Sequence, residues 1–214
     1  MNSTTVLPTR GRRRQRRLGA RRLLGLALLL AGLILLGLAG GEYLQAANEQ
    51  RQLDTRWSQI HDTGVTPPLP AGQVPPANAR AQDGIAFAIR VPKFGYRAAI
   101  AEGVSLKVLA AGPGHYPTTP WPGQHGNVGV AAHNVYWIKF GDLQPGDEVI
   151  LETRWGDYHY KVTERQIVQP NDTRPLAQTG PDRTTLTTCW PLWAGSLAQQ
   201  RLAITAVQTG APQR

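Results

Sequence analysis

Only one cysteine stands among the 214 residues, at position 189. That excludes an intrachain disulfide and every cysteine-rich zinc site. The chain also has little net charge of its own once the N-terminus is set aside. Eight of its 23 basic residues are arginines in the first 22 positions (Arg10, Arg12, Arg13, Arg14, Arg16, Arg17, Arg21 and Arg22), leaving 15 to face 14 acidic residues. The net charge of +9 therefore belongs to a tail, and nucleic-acid binding by the whole protein loses its basis. No internal repeat is visible. His115, His125 and His133 lie ten and eight residues apart with no carboxylate-rich neighbour, unlike local metal motifs, so no metal or cofactor is expected. Gly195-Ser196 lacks the rest of a nucleophile elbow.

What is present starts with a long apolar run. Leu23–Gly41 holds 19 residues without charge or proline. At ~1.5 Å per residue it spans about 28 Å, close to a bilayer core of ~30 Å. The arginines of residues 1–22 sit on one side, which by the positive-inside rule keeps that tail cytoplasmic and places the rest outside. The expectation is a single-pass signal anchor at 23–41. A cleaved signal peptide is the competing reading, with small residues at Gly37–Gly41. Residues 42–83 are expected to hold a helix over Glu42–Ile60 and then a spacer, because 66–80 carries Pro67, Pro68, Pro70, Pro75 and Pro76.

The folded domain is expected at 84–208, with a short tail at 209–214. Strand candidates are Ile85–Val91, Arg97–Ala101, Asn127–Ala132, Asp147–Glu152, Tyr158–Val168, Thr184–Cys189 and Arg201–Val207. A short helix is expected at Val104–Ala110 and a helical turn near Trp137–Leu143. Trp155-Gly156-Asp157 reads as a hairpin turn. Seven or eight short strands with few helices argue for a mainly β fold, one barrel or sandwich.

Three chemically useful residues end or begin predicted strands. Cys189 ends one, His133 follows another, and Arg201 begins the last. A thiol with its free pKa of ~8.5 needs a neighbour that takes its proton or favours the thiolate. An imidazole can then protonate a leaving amine, and a guanidinium can stabilise an oxyanion. Together they would form a cysteine-dependent acyl-transfer site. Taken singly, Cys189 could equally be an inert core thiol and Arg201 a solvated strand residue. A non-catalytic binding module on a stalk is the rival from another class.

The motifs resemble those of the sortases, the membrane-anchored cysteine transpeptidases of bacterial surfaces. Thr185-Leu186-Thr187-Thr188-Cys189 matches their Thr-Leu-x-Thr-Cys signature. Arg90–Gly95, Gly112–Pro117, Pro122–Asn127, Ala131–His133 and Leu143–Asp147 resemble further segments, in order, and the Gly-Pro-Gly-His-Tyr-Pro run is most like the class D and E branches. The resemblance implies a closed sortase-like barrel. It also implies that Cys189 is the nucleophile, His133 the general acid/base and Arg201 the oxyanion and placement group, with Thr188 helping to hold the substrate or oxyanion. Trp190, read from the residues, is a substrate-groove candidate with barrel-end packing as the alternative. The resemblance implies cleavage of an LPxTG- or LAxTG-like sorting signal on a secreted protein through a thioester. Transfer to an amine of peptidoglycan or a pilin would follow, or hydrolysis as the alternative, without a cofactor. Asn134 and Trp190 depart from residues frequent in those branches. Leu176-Ala177-Gln178-Thr179-Gly180 itself looks like a sorting signal but is followed by the catalytic strand, so it is expected to be a loop of this domain.

Overall fold

The computed structural model describes residues 11–62, 73 and 84–210. The first ten residues of the basic tail, the Pro-rich spacer apart from Gln73, and 211–214 lie outside the described residues. The chain divides into two compact units, Met1–Gln45 and Ala46–Arg214.

In the first unit, helix α1 (Gly11–Asp62, continuing into the second unit) carries the apolar run. Its described leucines are open: Leu23, Leu28 and Leu36 are 70%, 65% and 75% exposed. Among the described residues no helix is long and apolar enough to cross a membrane. The side chains of Leu38 and Ala39, inside the predicted span, are outside that set.

The second unit is a closed barrel in the order β1-β2-β3-β4-β7-β8-β6-β5. Its strands are β1 (Ile85–Val91), β2 (Tyr96–Glu102), β3 (Gly114–His115), β4 (Asn127–Ala131), β5 (Glu148–Thr153), β6 (Gly156–Val168), β7 (Arg183–Trp190) and β8 (Gln200–Gln208). A short α-helix, α2 (Leu106–Ala111), is capped by the Ser105 hydroxyl, which accepts from the Val108 N–H. The sequence reading missed β3, because two residues carry no alternation to detect. The β5–β6 hairpin turns at Arg154–Trp155, one residue before the expected turn: Thr153 pairs with Gly156.

Alternation sorts the strands into two faces. Phe87, Ile89, Val130, Leu151, Tyr160, Leu186, Leu202 and Ile204, at most 1% exposed, fill the interior. The outer face of β1 and β2 is built from Ala86, Ala88 and Ala99, and these are buried as well. Their small side chains let the C-terminal part of α1 lie close. Trp57 is 2% exposed there and its indole N–H donates to Glu152. Because β3 pairs only with Ala101 and Glu102, the backbone of Ala99 has no strand on that side. The Asp54 carboxylate accepts its N–H at 2.7 Å and the Gln50 amide donates to its C=O at 3.3 Å. The helix thus seals the stretch of β2 that β3 leaves bare.

Candidate active site

The strand register brings the three predicted residues to one level. β4 and β7 run parallel, with Ala131 opposite Thr187, and the Ala132 N–H still donates to Thr187 C=O at 3.1 Å. His133 lies two residues beyond Ala131, and Cys189 lies two beyond Thr187, so they leave neighbouring strands together. β8 runs antiparallel to β7 and sets Arg201 directly opposite Cys189. Val168 of β6 lies opposite Arg201 on the other side. Directly paired residues share a face, so Cys189 and Arg201 point the same way.

That face is the outside of the barrel. Leu186 points inward between Val130 and Ile204, and period-two alternation then turns Thr185, Thr187 and Cys189 outward. The outward hydroxyls are bonded accordingly. Thr187 Oγ1 is 2.9 Å from the Tyr116 hydroxyl, and Thr185 Oγ1 is 2.9 Å from Asn127 Oδ1.

The electrostatics fit acid–base work. Burial, and then the positive charge of Arg201, hold the His133 imidazole below its ordinary pKa of 6.5. Cys189 is half-buried and unpaired as a thiol. Among the described residues neither Cys189 nor His133 makes a side-chain hydrogen bond, so both remain open to a substrate. Arg201 spends one N–H on the Gln200 C=O at 3.0 Å.

Two expected substrate contacts do not share this face. Thr188 alternates with Cys189 and points into the barrel, 3% exposed, where its Oγ1 has no partner among the described residues. Trp190 has the same parity and packs on the core beside Gly141, whose added Cβ would lie 3.7 Å from its ring. Both adjoin the nucleophile in sequence, and the two-residue period of a strand turns them to its other face.

The other singled-out residues also have places. His115 is fully buried, 3.0 Å from Glu102 and 3.1 Å from the Pro120 C=O. His125 faces Asp182, and His159 faces Glu148. Among the described residues no group of His, Cys, Asp and Glu could hold a metal ion. The segment Leu176–Gly180 lies in the β6–β7 loop. The Gln178 side chain accepts from the Asn127 N–H at 2.8 Å and donates to its C=O at 3.2 Å, pairing with the start of β4 as a strand would. Leu176 covers Gly129 on the outer face, where an added Cβ would meet it at 2.9 Å.

Asn134 is the residue whose part the sequence reading missed. It is 6% exposed, and its Nδ2 donates to the Leu192 C=O at 2.8 Å and the Gly195 C=O at 3.4 Å. Its only signal in the sequence was an uncommon neighbour for the histidine.

Comparison with known proteins bears on the fold and family. A Sortase domain model matches residues 89–209. Sortase D of Bacillus subtilis (strain 168) is 29% identical over 105 residues, 48% of this chain and 53% of that protein. The chain thus spans about half the length of that curated relative. Among solved structures, a Sortase D5 transpeptidase from Clostridium perfringens superposes with a TM-score of 0.57 at 25% identity, over 77% of this chain and 98% of its own. The SrtA sortase from Actinomyces oris gives 0.56 at 28% identity, over 69% and 95%.

Proposed function

Since the chain belongs to the sortase family, we propose that it is a membrane-anchored cysteine transpeptidase acting on secreted proteins with an LPxTG- or LAxTG-like sorting signal. The observation that carries the reading is the shared level of His133, Cys189 and Arg201 on one outer face of adjacent strands.

Each residue has a step it can perform. With its pKa lowered, His133 is neutral at rest and takes the proton of Cys189. The thiolate attacks the threonine carbonyl of the signal, and an S–C bond forms. Arg201, permanently charged and in register with the nucleophile, stabilises the oxyanion. The imidazolium beside Arg201 is a stronger acid than a free one, and gives its proton to the amine that leaves as the C–N bond breaks. An amine of peptidoglycan or a pilin subunit then attacks the thioester and loses a proton to His133; the new C–N bond forms as the C–S bond breaks, and His133 returns the proton to the sulfur.

What supports the anchor is the uncharged run Leu23–Gly41 behind an arginine-rich tail, with open leucines along its described part. In this reading the barrel works outside the cell, where the lone cysteine has no second one to pair with. The test is to incubate the protein with a sorting-signal peptide, with and without an added amine, and to separate ligated from hydrolysed product. Ligated product that rises with amine concentration supports transpeptidation. Hydrolysed product alone, insensitive to amine, makes the enzyme a cysteine endopeptidase instead.

A further inference from the structure

The residue after the histidine does more than continue the chain. Residues 192–197, between β7 and β8, contain no buried side chain. Trp193 and Leu197 are 82% and 81% exposed. The loop's own backbone hydrogen bonds are local, from Ala194 to Pro191 and from Ala198 to Gly195. Packing at its start comes from Leu192 against Gly141. A loop so placed, directly between Cys189 and Arg201 in sequence, needs something else to hold it.

Asn134 supplies that. Its buried amide reaches two carbonyls of the loop, those of Leu192 and Gly195. The turn it sits in is itself closed, with the Tyr136 N–H donating to His133 and the Trp137 N–H to Asn134. Gly195 has φ 55° and ψ −129°, a conformation that residues with a Cβ rarely adopt. Space is not the reason for a glycine there, since an added Cβ would meet nothing within 4 Å. The backbone angles are, and they belong to the residue whose carbonyl accepts from Asn134.

We propose that Asn134 is a positioning residue whose side-chain amide latches the Leu192–Leu197 loop to the turn that carries His133, fixing the loop beside Cys189 for the incoming sorting peptide. The inference rests on the transpeptidase reading for its substrate, and on the hydrogen bonds alone for the latch. One amide then sets the spacing of two segments that border the nucleophile from different strands. An alanine there removes both donors, and an aspartate turns a carboxylate against two carbonyl oxygens.

The test compares wild type with N134A, N134D and G195A, the last leaving Asn134 itself intact. Hydrogen exchange at residues 191–199 reads the latch, and KM and kcat for a sorting-signal peptide read its use. Exchange there is expected to rise at least about tenfold in all three variants, with β1 and β5 unchanged as the control for folding. KM is expected to rise about fivefold or more while kcat stays within about twofold. Alkylation of Cys189 by iodoacetamide, which needs no loop contact, is expected to stay within about twofold. Unchanged exchange at 191–199 together with unchanged KM overturns the proposal, as does a loss in kcat with KM unmoved. Exchange uses no peptide, so a wild type that turns over no peptide strikes the transpeptidase reading and leaves the latch to be judged by exchange.

Discussion

Two flanks of the barrel treat their charged and polar groups in opposite ways. Where α1 docks, Glu152 is nearly buried and every partner is in place: Arg90 and Arg97 each donate at 2.7 Å, and Trp57 adds its indole N–H. Arg90 also reaches Asp157 at 3.3 Å. Where β4, β7 and β8 end, the thiol and imidazole are half-buried and make no such bonds among the described residues, and the charge acting on His133, that of Arg201, is of the sign that disfavours a protonated histidine. A bonded network holds parts together, whereas groups kept unsatisfied are ready to bond something that arrives. The same barrel thus separates the groups that hold it together from the groups available for chemistry.

The contrast can be broken by substitution. At the site end, R201A or H133A is expected to lower kcat/KM for a sorting-signal peptide by about 10²–10⁴-fold with little change in melting temperature. Parallel losses of activity and stability would mean that the site end is structural too. At the docking flank, W57A is expected to destabilise the second unit by about 3–5 kcal/mol in denaturant unfolding, leaving alkylation of Cys189 unchanged.

Acid tests the same flank more finely. Burial alone would raise the Glu152 carboxyl, but the hydrogen bonds from Arg97 and Arg90 carry it below its ordinary 4.5. A depressed carboxylate contributes stability that is full above its unfolded pKa and is lost as pH falls through the folded one. E152Q is therefore expected to be less stable than wild type by about 2 kcal/mol near neutral pH, with the gap closing below pH 4.5. A gap that persists unchanged in acid would remove the ionic account.

Smaller shifts sharpen the site end. Because the charge of Arg201 adds to burial in lowering His133, R201Q is expected to move the His133 titration up toward 6.5 without reaching it, as read by NMR of the ring protons. A downward move would contradict the arrangement. The least effect is expected from T188V, which removes a buried hydroxyl that has no partner among the described residues. It should leave the acylation rate within about twofold and stability unchanged or higher by up to about 1 kcal/mol. A tenfold loss of rate would return Thr188 to the reaction.

Much of this was legible before the structure. Alternating apolar residues marked seven of the eight strands, and the positions of Cys189 and Arg201 at strand ends suggested a shared rim. Their actual register could not be read, since it depends on which strands become neighbours: β4 and β7 are separated by more than fifty residues and two other strands. β3 left no pattern because it is two residues long. The docking of α1 was hidden for another reason. Glu42–Ile60 showed a helical period, but what covers Trp57 is set by the alanines of β1 and β2, far along the chain. The inward turn of Thr188 and Trp190 could not be read either, since which parity of β7 faces the core depends on the strands that pack around it. Asn134 showed only as an uncommon neighbour of the histidine, and its part stayed hidden because its partners are carbonyls, which no sequence displays.

The central claim is that Cys189, served by His133 and Arg201, becomes acylated. Intact-mass spectrometry of the protein mixed with a sorting-signal peptide and no amine measures that directly. The account predicts a mass increase equal to the peptide's portion up to its threonine, located on Cys189, removed by hydroxylamine and absent in C189A. No adduct on Cys189 with a peptide that is nevertheless cleaved, or cleavage that survives in C189A, would contradict it.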